Sequence, residues 1–291
     1  MRPQGADYRL ARAAIAAGLH YVDLADARGF VAGFGVLDAP ARAAGVVALT
    51  GASSTPALSH AVLDRLTQEW RRIDTVEIAI SPGNQKSPRG LSVLRAILSY
   101  AGQPVRVFAG GGWTERPGWG RPVRHAMPGL GRRWLSLCET PDLDLIPVRF
   151  APTEAAVFRA GLELSAMHLG LYAAGWLVQK RALRSLVPFA RPLRWLAERL
   201  KGFGSDRGGM TVEASGIDAD GKPMRAMWSL VAEGGDGPAI PTLPALATIR
   251  ALADGRIAAP GARPCVGVLD LDWIEREFAP YRIATRILTS S

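Results

Sequence analysis

Residues 18–24, Gly-Leu-His-Tyr-Val-Asp-Leu, and residues 45–51, Gly-Val-Val-Ala-Leu-Thr-Gly, decide the fold class of this chain. Each run contains a short apolar segment that follows the glycine closing an alanine-rich helical pattern. The segment at 46–49 has no polar alternation, which is typical of a parallel strand covered by helices on both faces. We therefore predict helices over 7–17 and 27–44, strands over 20–24 and 46–49, and a doubly wound βαβ arrangement.

The middle of the chain shows a different pattern from its two ends. A third helix is predicted over 57–70, after which residues 74–81 alternate with period two, as in a half-buried strand. A helix over 88–100, short strands around 105–108 and 133–138, and a hairpin of 210–217 with 224–232 follow. The pattern predicts an α+β domain with an antiparallel sheet. A helix from 241, a strand over 266–269 and a helix over 272–278 complete the chain.

Length and composition exclude several classes of protein. The 291 residues are 48% hydrophobic and 21% charged, a balance that excludes a disordered chain, while the dispersion of the apolar residues excludes a polytopic membrane protein. The two cysteines stand outside any CxxC motif, so we expect two free thiols and no metal site. The N-terminus has no apolar signal segment, so a cytoplasmic location is expected.

Several stretches resemble the saccharopine dehydrogenase-like oxidoreductases. They are residues 8–14 (YRLARAA), 17–28 (AGLHYVDLADAR), 50–59 (TGASSTPALS) and 80–84 (ISPGN), followed by Arg89-Gly90. The resemblance implies a Rossmann-type domain that binds NAD or NADP and transfers a hydride to or from an amino-acid-like or related small substrate. It also implies an inserted substrate and dimerisation domain, and hence a homodimer. Residues 238–269 are similar to the return of the chain to the first domain.

The resemblance divides the chain into residues 1–72 as a partial Rossmann-type domain, 73–237 as the inserted α+β domain, and 238–291 as the return. Family members carry a GxGxxG strand–turn–helix before the region that corresponds to this chain. Because this chain begins inside a predicted helix, we expect that half to be lacking, through truncation or a mis-assigned start, or to be supplied elsewhere; a truncated chain would be inactive. The triglycine at 110–112 precedes Trp113 rather than a helix, so we interpret it as a turn between strands.

Candidate cofactor-binding residues follow the first two predicted strands. Asp23 and Asp26 come at the carboxyl end of the first strand, where ligands of open α/β sheets bind. Alternatively, Asp26 caps the helix that starts near Ala27. The turn after the second strand offers hydroxyl and N–H groups for a cofactor or a substrate carboxylate, and the alternative is again helix capping, by Ser54 or Thr55. The candidates in this turn are Gly51, Ser53, Ser54 and Thr55.

Catalytic residues are not identified by the sequence. There is no GxSxG or HExxH motif, and hydride transfer needs no protein nucleophile because the cofactor carries the chemistry. His125 lies in a basic segment, Arg121-Pro-Val-Arg-His125, predicted to be a loop. Two interpretations remain open for it: an acid/base group, or a solvated loop histidine.

Most of the net charge of +9 is concentrated in one segment. Residues 180–207 contain eight basic and two acidic side chains, interleaved with leucines at helical spacing and with Phe189 and Trp195. They follow an uncharged run over 164–179, within a predicted helical region at 160–207. One interpretation is a membrane-surface element, which makes a non-catalytic peripheral membrane protein the alternative function. The other is a core helix followed by a solvated helix broken at Pro188 and Pro192. No recognition motif points to nucleic acid.

Overall fold

The computed structural model describes residues 7–85 and 90–290, which form two compact units. The first unit contains the described part of Met1–Gln68, together with Thr140–Arg149 and Ala239–Pro280. The second contains the described part of Glu69–Glu139, Phe150–Pro238 and Tyr281–Ser291. The domain limits expected from the sequence stay a prediction.

Helices and strands are distributed along the whole of the described chain. The helices are α1 (Arg9–Ala16), α2 (Arg28–Gly33), α3 (Asp38–Ala43), α4 (Ser59–Thr67), α5 (Leu91–Tyr100), α6 (Asp142–Phe150), α7 (Ser165–Gln179), α8 (Ala190–Arg199), α9 (Leu243–Ala253) and α10 (Leu271–Arg276). The strands are β1 (Tyr21–Val22), β2 (Val47–Thr50), β3 (Trp70–Ser81), β4 (Pro104–Ala109), β5 (Trp113–Pro117), β6 (Val123–Met127), β7 (Gly131–Leu137), β8 (Ala155–Ala160), β9 (Gly208–Asp218), β10 (Pro223–Ala232), β11 (Gly261–Pro264) and β12 (Ile283–Ser290).

The first unit is built on a parallel sheet of strand order β1-β2-β11. Side chains of Val46 and of β2, which follows it, alternate between two apolar clusters. Val46 and Ala48 pack with Phe34 and Leu37 on one face, whereas Val47 and Leu49 lie in the other cluster, with residues of α9. The strand is therefore buried on both faces, and the predicted α/β class with a parallel sheet is confirmed.

Three predicted elements of the first unit differ in the structure. The helix predicted over 27–44 is divided into α2, a 3₁₀ turn at Phe34–Leu37, and α3. The helix predicted over 57–70 ends at Thr67, because β3 begins at Trp70. The strand predicted over 266–269 is wrong. Gly267 there has a positive φ of 61°, which interrupts extended backbone, and β11 supplies the third strand instead.

The second unit is built on a nine-stranded sheet containing the path β12-β10-β9-β3-β8-β4-β5, with β7 paired to β8 and β6 paired to β7. The predicted hairpin is confirmed as β9 and β10. The sheet is mixed rather than purely antiparallel, because β3 and β8 run parallel. The triglycine forms the β4–β5 turn as predicted, where the Ala109 N–H donates to the Gly112 carbonyl.

Helices α5, α7 and α8 belong to this second unit. The first residues of the helix predicted over 88–100, with Arg89 of the ISPGN region, lie outside the described residues; the rest is α5. Pro192 is the third residue of α8 and does not break it, since the first turn has no intrahelical partner for that N–H. Across residues 7–85 and 90–290, no helix has both the length and the apolarity that crossing a bilayer requires.

Candidate functional site

The carboxylate of Asp23 joins the loops that follow β1 and β2. Its Oδ1 accepts three hydrogen bonds, from the Ala25 N–H at 2.9 Å, the Thr50 hydroxyl at 2.8 Å and the Gly51 N–H at 2.9 Å. The backbone strengthens this junction, because the Ala52 N–H donates to the Asp23 carbonyl at 2.8 Å. One carboxylate oxygen therefore fixes the carboxyl ends of two neighbouring parallel strands.

The second oxygen of the Asp23 carboxylate differs from the first in its hydrogen bonding. Asp23 Oδ2 is buried and accepts no hydrogen bond of ordinary geometry from the residues that the structure describes, and the Tyr21 hydroxyl lies near this carboxylate. Burial raises the pKa of Tyr21, two residues earlier on β1, and the negative charge of Asp23 raises it further. A buried carboxylate oxygen without a donor is costly in a folded protein, so such an atom marks a place where a ligand donor would be stabilising.

The turn after β2 brings together four of the predicted cofactor-binding residues. Gly51 has φ +75°, and a Cβ there would stand 2.7 Å from Pro56 Cδ, so the turn requires glycine. Its three hydroxyl residues, Ser53, Ser54 and Thr55, are each less than 9% exposed. The capping alternative for this turn is wrong, since the N-cap residues that precede the next helical segments make no side-chain capping hydrogen bond.

Asp26 takes no part in the hydrogen bonds that Asp23 makes. Its side chain is exposed, and the N-cap of α2 is Ala27, with no side-chain capping hydrogen bond, so the capping interpretation of Asp26 is also wrong. The structure thus joins Asp23 to Gly51 and leaves Asp26 at the surface. Cofactor binding by either aspartate stays a prediction.

A buried polar cluster on α4 and α6 was missed by the sequence reasoning. The Ser59 hydroxyl donates to Asp142 Oδ2 at 2.7 Å, and His60 Nε2 lies 3.5 Å from Asp142 Oδ1. All three side chains are at most 1% exposed. Because Ser59 donates to the carboxylate and not to the histidine, the cluster lacks the serine-to-histidine contact of a nucleophilic triad. No sequence motif links Asp142 to residues more than 80 positions earlier.

The two cysteines are free and buried, as predicted. Burial raises the pKa of Cys265 to about 11 and that of Cys138 to about 12, so both stay as neutral thiols and neither is an activated nucleophile. Over the described part of the chain, no group of three His, Cys, Asp or Glu side chains could hold a metal ion.

His125 lies on strand β6 and not in a loop. Its side chain is 14% exposed; Nε2 is 3.3 Å from the Thr211 hydroxyl and Nδ1 is 3.6 Å from Glu77 Oε1. The expectation of a solvated loop histidine is therefore wrong, because the alternating residues of 123–127 pair with β7.

Comparison with known proteins shows that the fold of this chain resembles that of a solved structure. No family model and no curated protein matches the sequence. Among solved structures, the chain is similar to apo histidine-tagged saccharopine dehydrogenase (L-Glu forming) from Saccharomyces cerevisiae, with a TM-score of 0.63 and 14% identity. The match covers 97% of this chain and 82% of that chain. At this identity the likeness shows the fold alone: the chain has a mixed α/β fold, with a parallel sheet and a larger mixed sheet, similar to the fold of that protein.

Proposed function

We propose that this chain is an NAD- or NADP-dependent oxidoreductase that transfers a hydride to or from an amino-acid-like or related small substrate. The observation that carries the proposal is the buried Oδ2 of Asp23, which has no donor at the carboxyl edge of a parallel sheet. Ligands of open α/β sheets bind at this edge. The fold likeness to a dehydrogenase supports the same chemistry. The homodimer implied by the sequence resemblance remains a prediction.

The groups at this edge fit the nicotinamide end of such a cofactor. A carboxamide or ribose group offers donors for Asp23 Oδ2, and the turn at 51–55 offers the hydroxyl groups of Ser53, Ser54 and Thr55. The cofactor, when bound, supplies the hydride. The chain orients the carboxylate, because the three bonds to Oδ1 fix its plane before a ligand arrives. The described residues contain no glycine-rich turn between a strand and a helix, so no residues are assigned to the pyrophosphate.

Fluorescence titration of the purified chain with NADH and NADPH tests the proposal. The Asp23→Asn variant keeps the Oδ1 acceptor and places an NH₂ donor where Oδ2 stands, so it should weaken binding by about tenfold or more. Asp254→Asn is the matched control, because it removes the same charge from an exposed side chain of the same unit that is not a candidate binding residue. Undetectable binding by the unmodified chain, or equal affinities for the two variants, would overturn the assignment.

The alternative function, a peripheral membrane protein, is favoured by a separate observation in the second unit. Three aromatic side chains in and around α8 are strongly exposed, Phe189 at 44%, Trp195 at 59% and Phe203 at 64%. The exposed Arg191 and Arg194 lie in the same segment. We propose that this basic aromatic segment, residues 187–203, contacts an anionic lipid surface, since basic and aromatic side chains together favour the membrane interface.

Flotation with vesicles of phosphatidylserine and phosphatidylcholine tests this second proposal. The double variant Arg191→Gln, Arg194→Gln should lose binding, and Trp195→Ser should reduce it. The control is Arg71→Gln, Arg132→Gln, which removes two exposed arginines of the same unit on strands β3 and β7. If the unmodified chain does not float at low salt, or if both double variants float equally, the lipid proposal fails.

A further inference from the structure

The second unit contains an open cavity of about 410 Å³ on one face of its large sheet. In the register of β10 and β12, Ser229 stands beside Arg286 and Val231 beside Ala284, and all four line the cavity. The alternate residues of β10, Trp228 and Leu230, are 1% exposed and belong to the core. The cavity therefore lies on the face of these strands that is turned away from the apolar core.

The charges that line the cavity are mainly positive. Three arginines, Arg207, Arg282 and Arg286, face one carboxylate, that of Glu233. Arg207 pairs with Glu233 at 2.7 Å. Within residues 7–85 and 90–290 the structure shows no ion pair for the side chains of Arg282 and Arg286. The two guanidinium groups without an ion pair favour an anion, and their planar donors match carboxylate and phosphate oxygens.

A hydroxyl residue lines the cavity next to these charges. Ser229 is 3% exposed and stands beside Arg286 in the register of β10 and β12. Its hydroxyl can donate to a ligand oxygen alongside the Arg286 guanidinium, as hydroxyl groups of small-molecule sites commonly do.

The backbone around the cavity is held in place before a ligand binds. The Arg282 N–H donates to Asp236 Oδ2 at 2.7 Å, and the Arg282 carbonyl accepts from the Glu233 N–H at 2.9 Å. The eight-residue pairing of β12 with β10 fixes Arg286 beside Ser229. Preorganised donors lose little conformational entropy on binding, which favours a specific small ligand.

We propose that this cavity is a binding site for a small organic oxyanion, recognised through its carboxylate or phosphate oxygens by Arg286, Arg282 and Ser229. Its volume is in the range of metabolite sites. Every lining residue belongs to the second unit, and no nucleotide enters the argument, so this site is independent of the oxidoreductase proposal.

Isothermal titration calorimetry of the full chain without nucleotide tests the site, with glutarate and inorganic phosphate as separate probes. We expect one probe to bind, which identifies the oxyanion, and Arg286→Gln to weaken that binding by about tenfold or more. Arg286 is exposed on the outer strand β12, so this variant should fold, and circular dichroism checks that it does. Ser229→Ala should weaken the same probe several-fold.

Arg95→Gln is the matched control, since it removes an exposed arginine of the same unit outside the cavity. The proposal is overturned if neither probe binds the unmodified chain, or if Arg286→Gln and Arg95→Gln bind the probe with equal affinity. If NADH fails to bind in the fluorescence titration, the results expected from calorimetry stay the same, because the calorimetry contains no nucleotide.

Discussion

Two carboxylates, Asp23 in the first unit and Glu163 in the second, are used in opposite ways. Glu163 has both oxygens occupied: Oε1 accepts from Arg133 at 3.2 Å and from the Ser205 hydroxyl at 2.6 Å, and Oε2 accepts from the backbone of Asn84 at 2.6 Å and of Ser205 at 2.9 Å. Asp23 places all its hydrogen bonds on one oxygen and leaves the other without a donor.

The difference separates a structural carboxylate from a candidate binding carboxylate. Glu163 ties the loop after β3 to the loop before β9, and Asn84 of the ISPGN stretch extends the network by donating to the carbonyls of Leu200 and Phe203. A network with every oxygen occupied rigidifies the unit and offers nothing to a ligand. A carboxylate that is oriented by one oxygen and has no donor at the other keeps a free acceptor for a ligand.

Removing Glu163 should have the largest effect on stability. Arg133 has only 7% of its side chain exposed, and burial lowers its pKa, so Glu163→Ala leaves a buried cation without its counter-ion. We expect a loss of about 3–5 kcal/mol in the free energy of unfolding, measured with urea. Glu198→Ala removes the exposed partner of Lys201 and should cost about 1 kcal/mol or less. Equal losses of stability in Glu163→Ala and Glu198→Ala would contradict the structural role assigned to Glu163.

The buried His168 offers a pH-dependent test of the second unit. Its Nδ1 accepts from the Leu162 N–H, its Nε2 contacts the Ser136 hydroxyl at 3.0 Å, and burial lowers its pKa to about 4. Between pH 6.5 and pH 4, His168 is protonated in the unfolded chain but neutral in the folded chain. The free energy of unfolding therefore keeps its full value above pH 6.5 and decreases as the pH falls toward 4. The loss should reach about 3 kcal/mol.

Urea unfolding at several pH values measures this loss against His168→Gln, which cannot titrate. Other groups titrate equally in both proteins, so the difference between the two curves isolates His168. Parallel curves between pH 6.5 and pH 4 would show that the folded histidine is protonated after all.

Replacing Gly51 tests how rigidly the Asp23 junction is built. Gly51→Ala introduces a side chain at φ +75° and a contact of 2.7 Å with the Pro56 ring, so we expect a loss of about 1–3 kcal/mol. Gly45→Ala has nearly the same φ, +67°, with nothing within 4 Å, and so isolates the backbone strain. Thermal unfolding should therefore rank Gly51→Ala as the less stable variant. The reverse order would mean that the turn relaxes freely.

The smallest effect on stability is expected for Asp23→Asn. The amide keeps the Oδ1 acceptor that receives all three hydrogen bonds, so the loss should stay below about 1.5 kcal/mol in urea unfolding. The same variant should reduce NADH or NADPH affinity. A loss as large as that of Glu163→Ala would make Asp23 a structural carboxylate as well and remove the contrast between them.

Sequence patterns predicted the regular part of the fold because the signals there are local. The apolar run at 46–49 predicts a strand buried on both faces, and the turn at 218–221 predicts the β9–β10 hairpin; both are present. Strand β12 was missed because most of its residues are exposed, so its sequence carries no clear alternation, and its pairing with β10 alone makes it a strand. Likewise, no local pattern shows that one strand pair of the second sheet is parallel.

By itself, the sequence determined the parallel sheet of the first unit, the position of Asp23 and Gly51 at strand ends, and the concentration of charge in residues 180–207, because each depends on residues close together in the chain. Only the tertiary structure decided which of these groups are satisfied. Whether Asp23 Oδ2 has a donor, whether Asp26 caps a helix, and whether Arg286 meets Ser229 depend on contacts between distant segments. Hydrogen-bond satisfaction is set by three-dimensional packing, and it is this property that separates structural groups from candidate binding groups in this protein.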